Sequence, residues 1–269
     1  MCECFGVSRS GYYKWLNCPQ SPRKAENKFL DEEIINIYEA HRRNYGSPRI
    51  TKELQAANIN CSENRVSRRM AVMGLKAKGK KKFKATTDSE HKLPIFENLL
   101  SRDFHAEAPN QKWTSDITYV WTDEGWLYLC VYIDLFSRSV IGWSMSKRIN
   151  RQLVCDALTM ALWRRGFPKG VIVHTDRGSQ YASKQYRRLL KNHGLIGSMS
   201  RKGNCWDNSV AESFFKTLKY EHLYDYSFNT RDKAKQEIFE YIEVYYNKNR
   251  RHSYLGYLTP EMFEKVAYA

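Results

Sequence analysis

Residues 112–121 read KWTSDITYVW and predict the first strand of the main domain. This stretch is the most informative of the chain because a carboxylate interrupts an otherwise typical strand. β-Branched and aromatic residues dominate the run, as they do in β-strands, whereas aspartate is depleted in strands. Asp116 is therefore an anomaly by local rules. It indicates a functional side chain, and a paired acid on an edge strand is the alternative.

A second carboxylate ends a second strand. Residues 170–176 read GVIVHTD, a short apolar run that predicts a strand buried on both faces and ending at Asp176. Ligands of α/β sheets bind in the crevice beyond the strand ends, so Asp176 is expected there. Because Arg177 and Gly178 follow at once, a turn-forming aspartate is the alternative. His174 lies on the same strand face, where it either supports the site or is simply packed.

A third carboxylate, Glu212, belongs to a helix predicted from Asn208 to about His222. Helical periodicity places Glu212, Lys216 and Lys219 together on one side. The apolar residues of the opposite, buried side are Val210, Phe214 and Leu218. We expect the helix to present the acid and both lysines away from the core.

Structural roles compete with a functional one on this helix. Ser209 and Glu212 match a capping box, and Glu212 could also pair with Lys216 one turn later. Asp207 is a natural helix cap. Lys219 is placed to hold a substrate phosphate, with a solvated lysine as the alternative.

Asp116, Asp176 and Glu212 together predict a metal-dependent phosphoryl-transfer site. Two divalent ions a few Å apart can activate an attacking oxygen and stabilise the leaving oxygen. Mg²⁺ prefers hard oxygen ligands and keeps several waters, so carboxylates suffice without histidines. We expect two Mg²⁺ ions, with Mn²⁺ as a substitute.

The composition indicates a polyanionic partner. The 269 residues carry a net charge of +15, which favours nucleic acid over a membrane surface. No apolar run is long enough to cross a bilayer, and the first residues do not resemble a signal peptide. We expect a cytoplasmic, nucleoid-associated protein without a membrane partner. The seven scattered cysteines predict reduced thiols.

The N-terminal part predicts a small helical domain. Residues 1–20 look like the end of something larger, and residues 21–75 predict three short helices of a helix-turn-helix-like DNA-binding domain. The third helix carries three arginines expected to contact DNA, namely Arg65, Arg68 and Arg69. A merely solvated basic face is the alternative.

A basic arm and linker is predicted for residues 76–108. Nine of the twenty residues from Arg65 to Lys84 are Lys or Arg, and no acid interrupts them. We expect Lys80, Lys81 and Lys82 to follow a phosphate backbone, with a solvated tail as the alternative.

The catalytic core is predicted for residues 109–222, followed by a helical extension at residues 223–269. Its elements follow the order βββαβαβα, beginning with a three-stranded meander at residues 112–145. A helix at residues 151–165 and the strand ending at Asp176 come next. This order predicts an α/β fold in which a mixed sheet is flanked by helices.

Several motifs resemble the DDE transposases of the insertion sequence three family, specifically the product of their second reading frame. WTSDITY at residues 113–119 is similar to the first-aspartate strand, and HTDRGSQY at residues 174–181 to the second. ESFFKTLK at residues 212–219 is similar to the glutamate helix, with Lys219 at its basic position. The 35 residues between Asp176 and Glu212 match the spacing of this family and of retroviral integrases. YGSPRI at residues 45–50 resembles the preceding helix-turn-helix-like segment.

The resemblance implies an RNase H-like core of the retroviral-integrase type whose acid triad binds two Mg²⁺ ions. It implies a polynucleotidyl transferase that cleaves insertion-element ends and transfers strands during DNA transposition and integration. The implied partners are double-stranded DNA, as terminal repeats and target, further copies of the chain in a DNA complex, and an upstream-frame helix-turn-helix product as partner or fusion. The alternatives are a non-catalytic DNA-binding regulator of transposition and an RNase H-like nuclease without strand transfer.

Overall fold

The computed structural model describes residues 2–17, 21–78, 94–202 and 204–267. The chain divides into two units, at residues 1–79 and 80–269. The finer domain boundaries expected from the sequence stay predictions. Three lysines of the expected basic arm, Lys80, Lys81 and Lys82, lie outside the described residues.

The first unit begins with a helix that the sequence did not predict. Helix α1 spans Arg9–Leu16, and its N-cap Ser8 accepts a hydrogen bond of 3.0 Å from the main-chain nitrogen of Gly11. No residue of α1 is buried. The helix is therefore stabilised by its cap and local hydrogen bonds rather than by a core.

Three further helices build the core of the first unit. They are α2 (Pro22–Ala40), α3 (Ser47–Ala56) and α4 (Glu63–Val72). Helix α2 begins at Pro22 because Ser21 caps it and proline is well suited to the first helical position. The buried side chains shared by the three helices are Leu30, Ile34, Tyr38, Ile50, Leu54, Val66 and Met70. The expected helix-turn-helix-like bundle is confirmed.

The second unit contains a five-stranded mixed sheet. Strands β1 (Lys112–Val120), β2 (Leu127–Asp134) and β3 (Val140–Ser146) form the expected antiparallel meander. Strand β4 (Ile172–Thr175) pairs in parallel with β1, and β5 (Ile196–Met199) pairs in parallel with β4. The resulting order is β3-β2-β1-β4-β5. Parallel strands need a long crossover connection, usually a helix, whereas a meander does not. Within the second unit, helices therefore begin only after β3.

Helices cover both faces of this sheet. Helices α5 (Arg151–Arg165) and α6 (Lys184–Asn192) pack on the face that carries Cys130 and Tyr132. Helix α7 (Ser209–Glu221), helix α8 (Arg231–Phe239) and a π-helical segment (Glu240–Tyr246) pack on the face of Leu129, Val131 and Ile133. Helix α9 (Pro260–Ala267) follows. Alternate β2 residues thus enter two separate cores, as the two-residue period of a strand requires.

One glycine allows a helix to contact the sheet directly. A Cβ at Gly142 of β3 would lie 2.4 Å from the main-chain oxygen of Ala157 and 2.7 Å from the nitrogen of Ala161. Only a residue without a side chain fits between β3 and α5. None of the helices in the described ranges is long and apolar enough to span a membrane.

Candidate active site

The register of two parallel strands brings two carboxylates together. Ser115 of β1 is paired with Thr175, the last residue of β4, and the residues that follow these two in the chain are Asp116 and Asp176. Neighbouring strands lie about 4.8 Å apart, so these aspartates are adjacent and leave the sheet on the same face. Asp116 is also opposite Val131, which belongs to the core under α7. The pair therefore faces the helix that carries Glu212.

Asp116 lies in a strongly perturbed environment. It is half-buried, and its Oδ1 accepts a hydrogen bond of 2.8 Å from the main-chain nitrogen of Ile117. Burial raises the pKa of Asp116 well above its usual range, and the negative charge of Asp176 raises it further. Glu212 adds to this effect, whereas the Ile117 hydrogen bond and the charge of Lys219 oppose it. The site thus concentrates negative charge that a cation would stabilise.

Asp176 both forms a turn and faces Asp116. Its Oδ1 accepts a hydrogen bond of 3.0 Å from the main-chain nitrogen of Gly178. A Cβ at Gly178 would lie 3.0 Å from that same oxygen and 2.9 Å from Oε1 of Gln180. The turn-forming alternative is therefore compatible with a functional role, since the turn holds the carboxylate at the end of β4.

Glu212 has neither of its competing structural roles. Helix α7 begins at Ser209 with Asn208 as its N-cap, so Ser209 does not occupy the position that a capping box requires. Within the described parts of the chain, the Glu212 carboxylate forms no hydrogen bond or ion pair, Lys216 included. The residue is exposed in the first turn of α7, and partial burial of its carboxyl group raises the pKa of Glu212.

The three acids do not converge on one point. No group of three or more His, Cys, Asp or Glu side chains within the described ranges is arranged to hold an ion. Asp116 and Asp176 form the close pair, and Glu212 influences Asp116 through its charge.

The prediction that Lys219 is exposed is wrong. Only 7% of this residue is exposed, and its ammonium lies 5.0 Å from the ring centroid of Tyr119. Burial lowers the pKa of Lys219, and the charge of Asp116 opposes that shift. Periodicity correctly grouped Lys219 with Glu212, but it does not show which neighbours cover a helix face. Lys216 is exposed, as expected.

Comparisons with known proteins identify the family of the chain. Two family models described as an integrase core domain match residues 106–205 and 193–260, and one described as an HTH-like domain matches residues 24–83. "Transposase InsF for insertion sequence IS3A" of Escherichia coli (strain K12) is 49% identical over 266 residues, covering 98% of this chain and 92% of that protein. "Insertion element IS600 uncharacterized 31 kDa protein" of Shigella sonnei is 46% identical over 265 residues, covering 98% and 97%.

The chain belongs to the IS3 family of transposases. The transposase has the integrase-type mixed sheet and the N-terminal helix-turn-helix-like domain that the sequence motifs implied. Among solved structures, the HTLV-2 integrase catalytic core domain in complex with magnesium is 18% identical, with a TM-score of 0.46. That match covers 60% of this chain and 99% of the other.

Around the acids, the transposase contains a set of positioning contacts that sequence reasoning missed. Nδ2 of Asn208 donates a hydrogen bond of 3.1 Å to the main-chain oxygen of Ser115, and the Thr114 hydroxyl donates to Oδ1 of Asn208. The N-terminal end of α7 is thereby attached to β1 directly before Asp116. Only the position of Asn208, four residues before Glu212, hinted at such a role.

Asp207 is not the helix cap that its position suggests. It is fully buried and accepts hydrogen bonds of 3.0 and 2.9 Å from Nε and Nη2 of Arg201, and one of 3.0 Å from Nε of Arg102. These guanidinium groups, Arg201 first, hold the pKa of Asp207 well below its usual range. The contacts tie the segment before α7 to neighbouring loops.

His174 is packed beneath the end of β4. Its Nδ1 lies 2.9 Å from Oγ of Ser198, and its Nε2 lies 3.1 Å from Oγ of Ser200. Burial lowers the pKa of His174 to about 4, so the imidazole is neutral near pH 7. The histidine therefore links β4 to β5 and supports the strand end that carries Asp176.

The three arginines of α4 differ in their surroundings. Nη1 of Arg65 lies 2.8 Å from Oε1 of Glu26, and Nε of Arg69 donates a hydrogen bond of 2.7 Å to Oδ1 of Asp31. Both pairs connect α4 to α2. Arg68 is exposed between them. The expected basic face is present, although two of its guanidinium groups also stabilise the helical bundle.

Proposed function

We propose that this transposase cleaves DNA at insertion-element ends and transfers the freed strands to a target, with Asp116, Asp176 and Glu212 as its catalytic carboxylates. The observation that supports the proposal is the β1–β4 register, which pairs the residues directly before Asp116 and Asp176 and so brings the two carboxylates side by side beneath α7. Buried like charges are costly to maintain, and such arrangements cluster at functional sites.

The donor set fits divalent cations. Mg²⁺ is commonly held by one or two carboxylates together with substrate phosphate oxygens and water, so the adjacent aspartates suffice as the protein anchor. Mg²⁺ is the proposed physiological ion, two ions are proposed per site, and Mn²⁺ is a substitute. Bound there, such ions would supply Lewis-acid stabilisation of the attacking and leaving oxygens. Glu212 is free to approach the substrate side because no hydrogen bond to a described residue holds it.

The reaction is two successive phosphoryl transfers. Water attacks a phosphodiester at the element end, the P–O bond to the neighbouring 3′-oxygen breaks, and that oxygen leaves as a 3′-hydroxyl after gaining a proton. The 3′-hydroxyl then loses its proton and attacks a target phosphodiester, forming one new P–O bond. The P–O bond to the target's 3′-oxygen breaks, and that oxygen leaves as a hydroxyl after gaining a proton. The protein contributes position and charge, as in other phosphoryl transfers.

Basic residues are proposed to hold the DNA. Lys219 lies beside Asp116 and is proposed to contact a phosphate near the cleavage point, with Lys216 further along the backbone. Arg65, Arg68 and Arg69 of α4, together with Lys80, Lys81 and Lys82, are proposed to bind terminal-repeat and target DNA. Phosphate contacts of this kind position a protein without specifying sequence.

Further partners follow from the chemistry. Joining both ends of an element to one target requires two sites in one complex, so we include self-association on DNA in the proposal. An upstream-frame helix-turn-helix product is a proposed partner or fusion. The comparisons do not favour a regulator without catalysis or a nuclease without strand transfer.

The decisive experiment is a strand-transfer assay on DNA carrying labelled terminal repeats, with and without the upstream-frame product. Asp116→Asn, Asp176→Asn and Glu212→Gln are each expected to lower cleavage and joining by at least about 100-fold, while DNA binding persists. Glu107→Gln, which changes an exposed carboxylate ahead of β1, serves as the matched control. Cleavage that survives all three triad substitutions would refute the assignment.

A further inference from the structure

A cavity lined in part by Lys219 borders the acid site of the transposase. It has a volume of about 410 Å³ and lies between the β1–β2 turn and the segment that follows α7. The main-chain nitrogen of Asp123 donates a hydrogen bond of 3.0 Å to the oxygen of Phe228, which joins these two walls. The cavity lining includes a buried phenylalanine, Phe228, and five aromatic side chains that are more exposed, namely Tyr119, Trp121, Trp126, Tyr224 and Tyr226.

These aromatic side chains are unusually exposed. Trp121 and Tyr224 are each 57% exposed, and Trp126 is 42% exposed. Single exposed apolar residues need no explanation, but a contiguous patch of them marks an interaction site. Much of the surface of Trp121, Tyr224 and Trp126 is therefore open at the cavity wall and not packed in a core.

The rings are held in fixed mutual orientations. The centroid of Trp126 lies 4.9 Å from that of Tyr119 at an interplanar angle of 79°, and 4.8 Å from that of Trp121 at 76°. Edge-to-face packing on two sides immobilises Trp126 without covering every face of its neighbours. Little conformational entropy is then lost when a flat ligand enters.

Lys219 connects the cavity to the acids. It lines the cavity, its ammonium lies 5.0 Å from the Tyr119 centroid, and its charge acts on Asp116. A nucleotide whose phosphate contacts Lys219 would have its sugar and base within reach of the aromatic wall. An apolar peptide segment is a poorer occupant, because it would desolvate this ammonium without providing an anion.

We propose that the cavity binds one unpaired nucleobase of the DNA next to the cleaved phosphodiester, stacked against Trp121 and Tyr224. The proposal rests on the assigned function, since it requires DNA at the acid site. Enzymes that modify bases extrude them into aromatic pockets, which shows that DNA can present an unpaired base to a protein. Base–aromatic stacking tolerates any sequence because every base has a π-face. The cavity volume falls in the range of small-ligand sites, roughly 300–1,000 Å³.

The test combines protein variants with abasic DNA. An abasic site is moved one nucleotide at a time through a terminal-repeat duplex, and affinity is measured by fluorescence anisotropy with Ca²⁺ replacing Mg²⁺. Trp121→Ala and Tyr224→Ala are expected to weaken binding of intact DNA by roughly 5- to 150-fold, the range for one lost base stack. At one abasic position these variants and the wild type should bind equally, and Trp121→Phe should restore most of the affinity.

Trp163→Ala is the matched control. Trp163 lies on α5, outside the cavity, and is 71% exposed. Circular dichroism and melting temperature verify that each variant is folded, and both Trp121 and Tyr224 are exposed enough for alanine to be tolerated.

Two outcomes would overturn the cavity assignment. The first is unchanged DNA affinity in both alanine variants at every abasic position. The second is loss of self-association, measured by sedimentation, with DNA affinity intact, because the cavity would then bind protein. The proposed catalytic function is tested separately, by measuring DNA cleavage by the Asp116→Asn variant. A failure of the cavity proposal is therefore distinguishable from a failure of the catalytic proposal.

Discussion

The carboxamide of Asn208 donates a hydrogen bond of 3.1 Å to the main-chain carbonyl of Ser115, joining the N-cap of α7 to the residue before Asp116. Asn208 is only 4% exposed. The contact sets the start of the Glu212 helix against the Asp116 strand. The separation of two proposed catalytic acids thus depends on a side chain that is not itself acidic.

Asn208→Ala is expected to destabilise the protein by about 1–3 kcal/mol, because it leaves buried hydrogen-bonding groups without their partner. It is also expected to lower the cleavage rate more than the affinity for terminal-repeat DNA, since α7 loses its attachment to β1. Urea unfolding and single-turnover cleavage measure the two effects. Asn192→Ala, at an exposed position ending α6, is the control. Wild-type cleavage by Asn208→Ala would contradict a positioning role.

Removing one carboxylate of the aspartate pair is expected to abolish the response of stability to divalent ions. An ion that binds only the folded protein stabilises it by about 2.7 kcal/mol at one hundred times its dissociation constant. The wild-type melting temperature should therefore rise with Mn²⁺ concentration, whereas Asp116→Asn and Asp176→Asn should respond little. Without divalent ions, Asp116→Asn should melt above the wild type because charge repulsion is relieved. Glu107→Gln should behave like the wild type, and an undiminished Mn²⁺ response in both aspartate variants would exclude the site.

Arg250→Ala is expected to cost about 3–5 kcal/mol of unfolding free energy, the range for breaking a buried ion pair by removing one partner. Nε and Nη2 of Arg250 lie 2.6 and 2.7 Å from the two carboxylate oxygens of Glu221, at the end of α7. Lys265→Ala is the control, because its i,i+4 pair with Glu261 is exposed and should contribute less than about 0.5 kcal/mol. Denaturant midpoints measure both. A loss below 1 kcal/mol for Arg250→Ala would show that the pair is dispensable.

Asp207 is expected to make stability depend on acid pH. Its folded pKa is held well below the unfolded value of about 3.9 by Arg201, so its contribution is present above that value and lost as the pH falls further. The difference in unfolding free energy between the wild type and Asp207→Asn should be largest above about pH 4 and should shrink below it. Urea unfolding across this range measures the difference. A difference that stays constant between pH 5 and pH 2.5 would disagree with this linkage.

The meander and the first crossover helix were predictable because short-range patterns specify them. The β1–β2 turn, the continuous apolar run of β2 and the limits of α5 at Arg151 and Arg165 all follow from local composition, periodicity and turn residues. The adjacency of Asp116 and Asp176 was predictable only in part. Each acid was recognisable at a strand, but their pairing depends on the parallel register, which no local pattern encodes.

The remaining features depend on contacts between distant residues. Lys219 is buried by Tyr119 and the segment after α7. Arg69 of α4 donates a hydrogen bond to Asp31 of α2, a residue distant in the sequence. The sequence alone does not distinguish a charged side chain that is solvated from one that is paired with a distant residue. The aromatic cavity lining could not be predicted for the same reason, because Trp121 and Tyr224 are about a hundred residues apart in the sequence.

The main-chain hydrogen bonds between β1 and β4 fix the position of Asp176 relative to Asp116. Because strand side chains alternate, slipping β4 by a single residue would send Asp176 to the opposite face, into the core beneath α5 and α6. Length changes in the loops between β4 and α7 do not alter the β1–β4 register. One residue inserted inside β4 shifts that register and separates the two aspartates. The aspartate pair is therefore sensitive to insertions inside β4 and insensitive to length changes in the later loops, even where no catalytic side chain is altered.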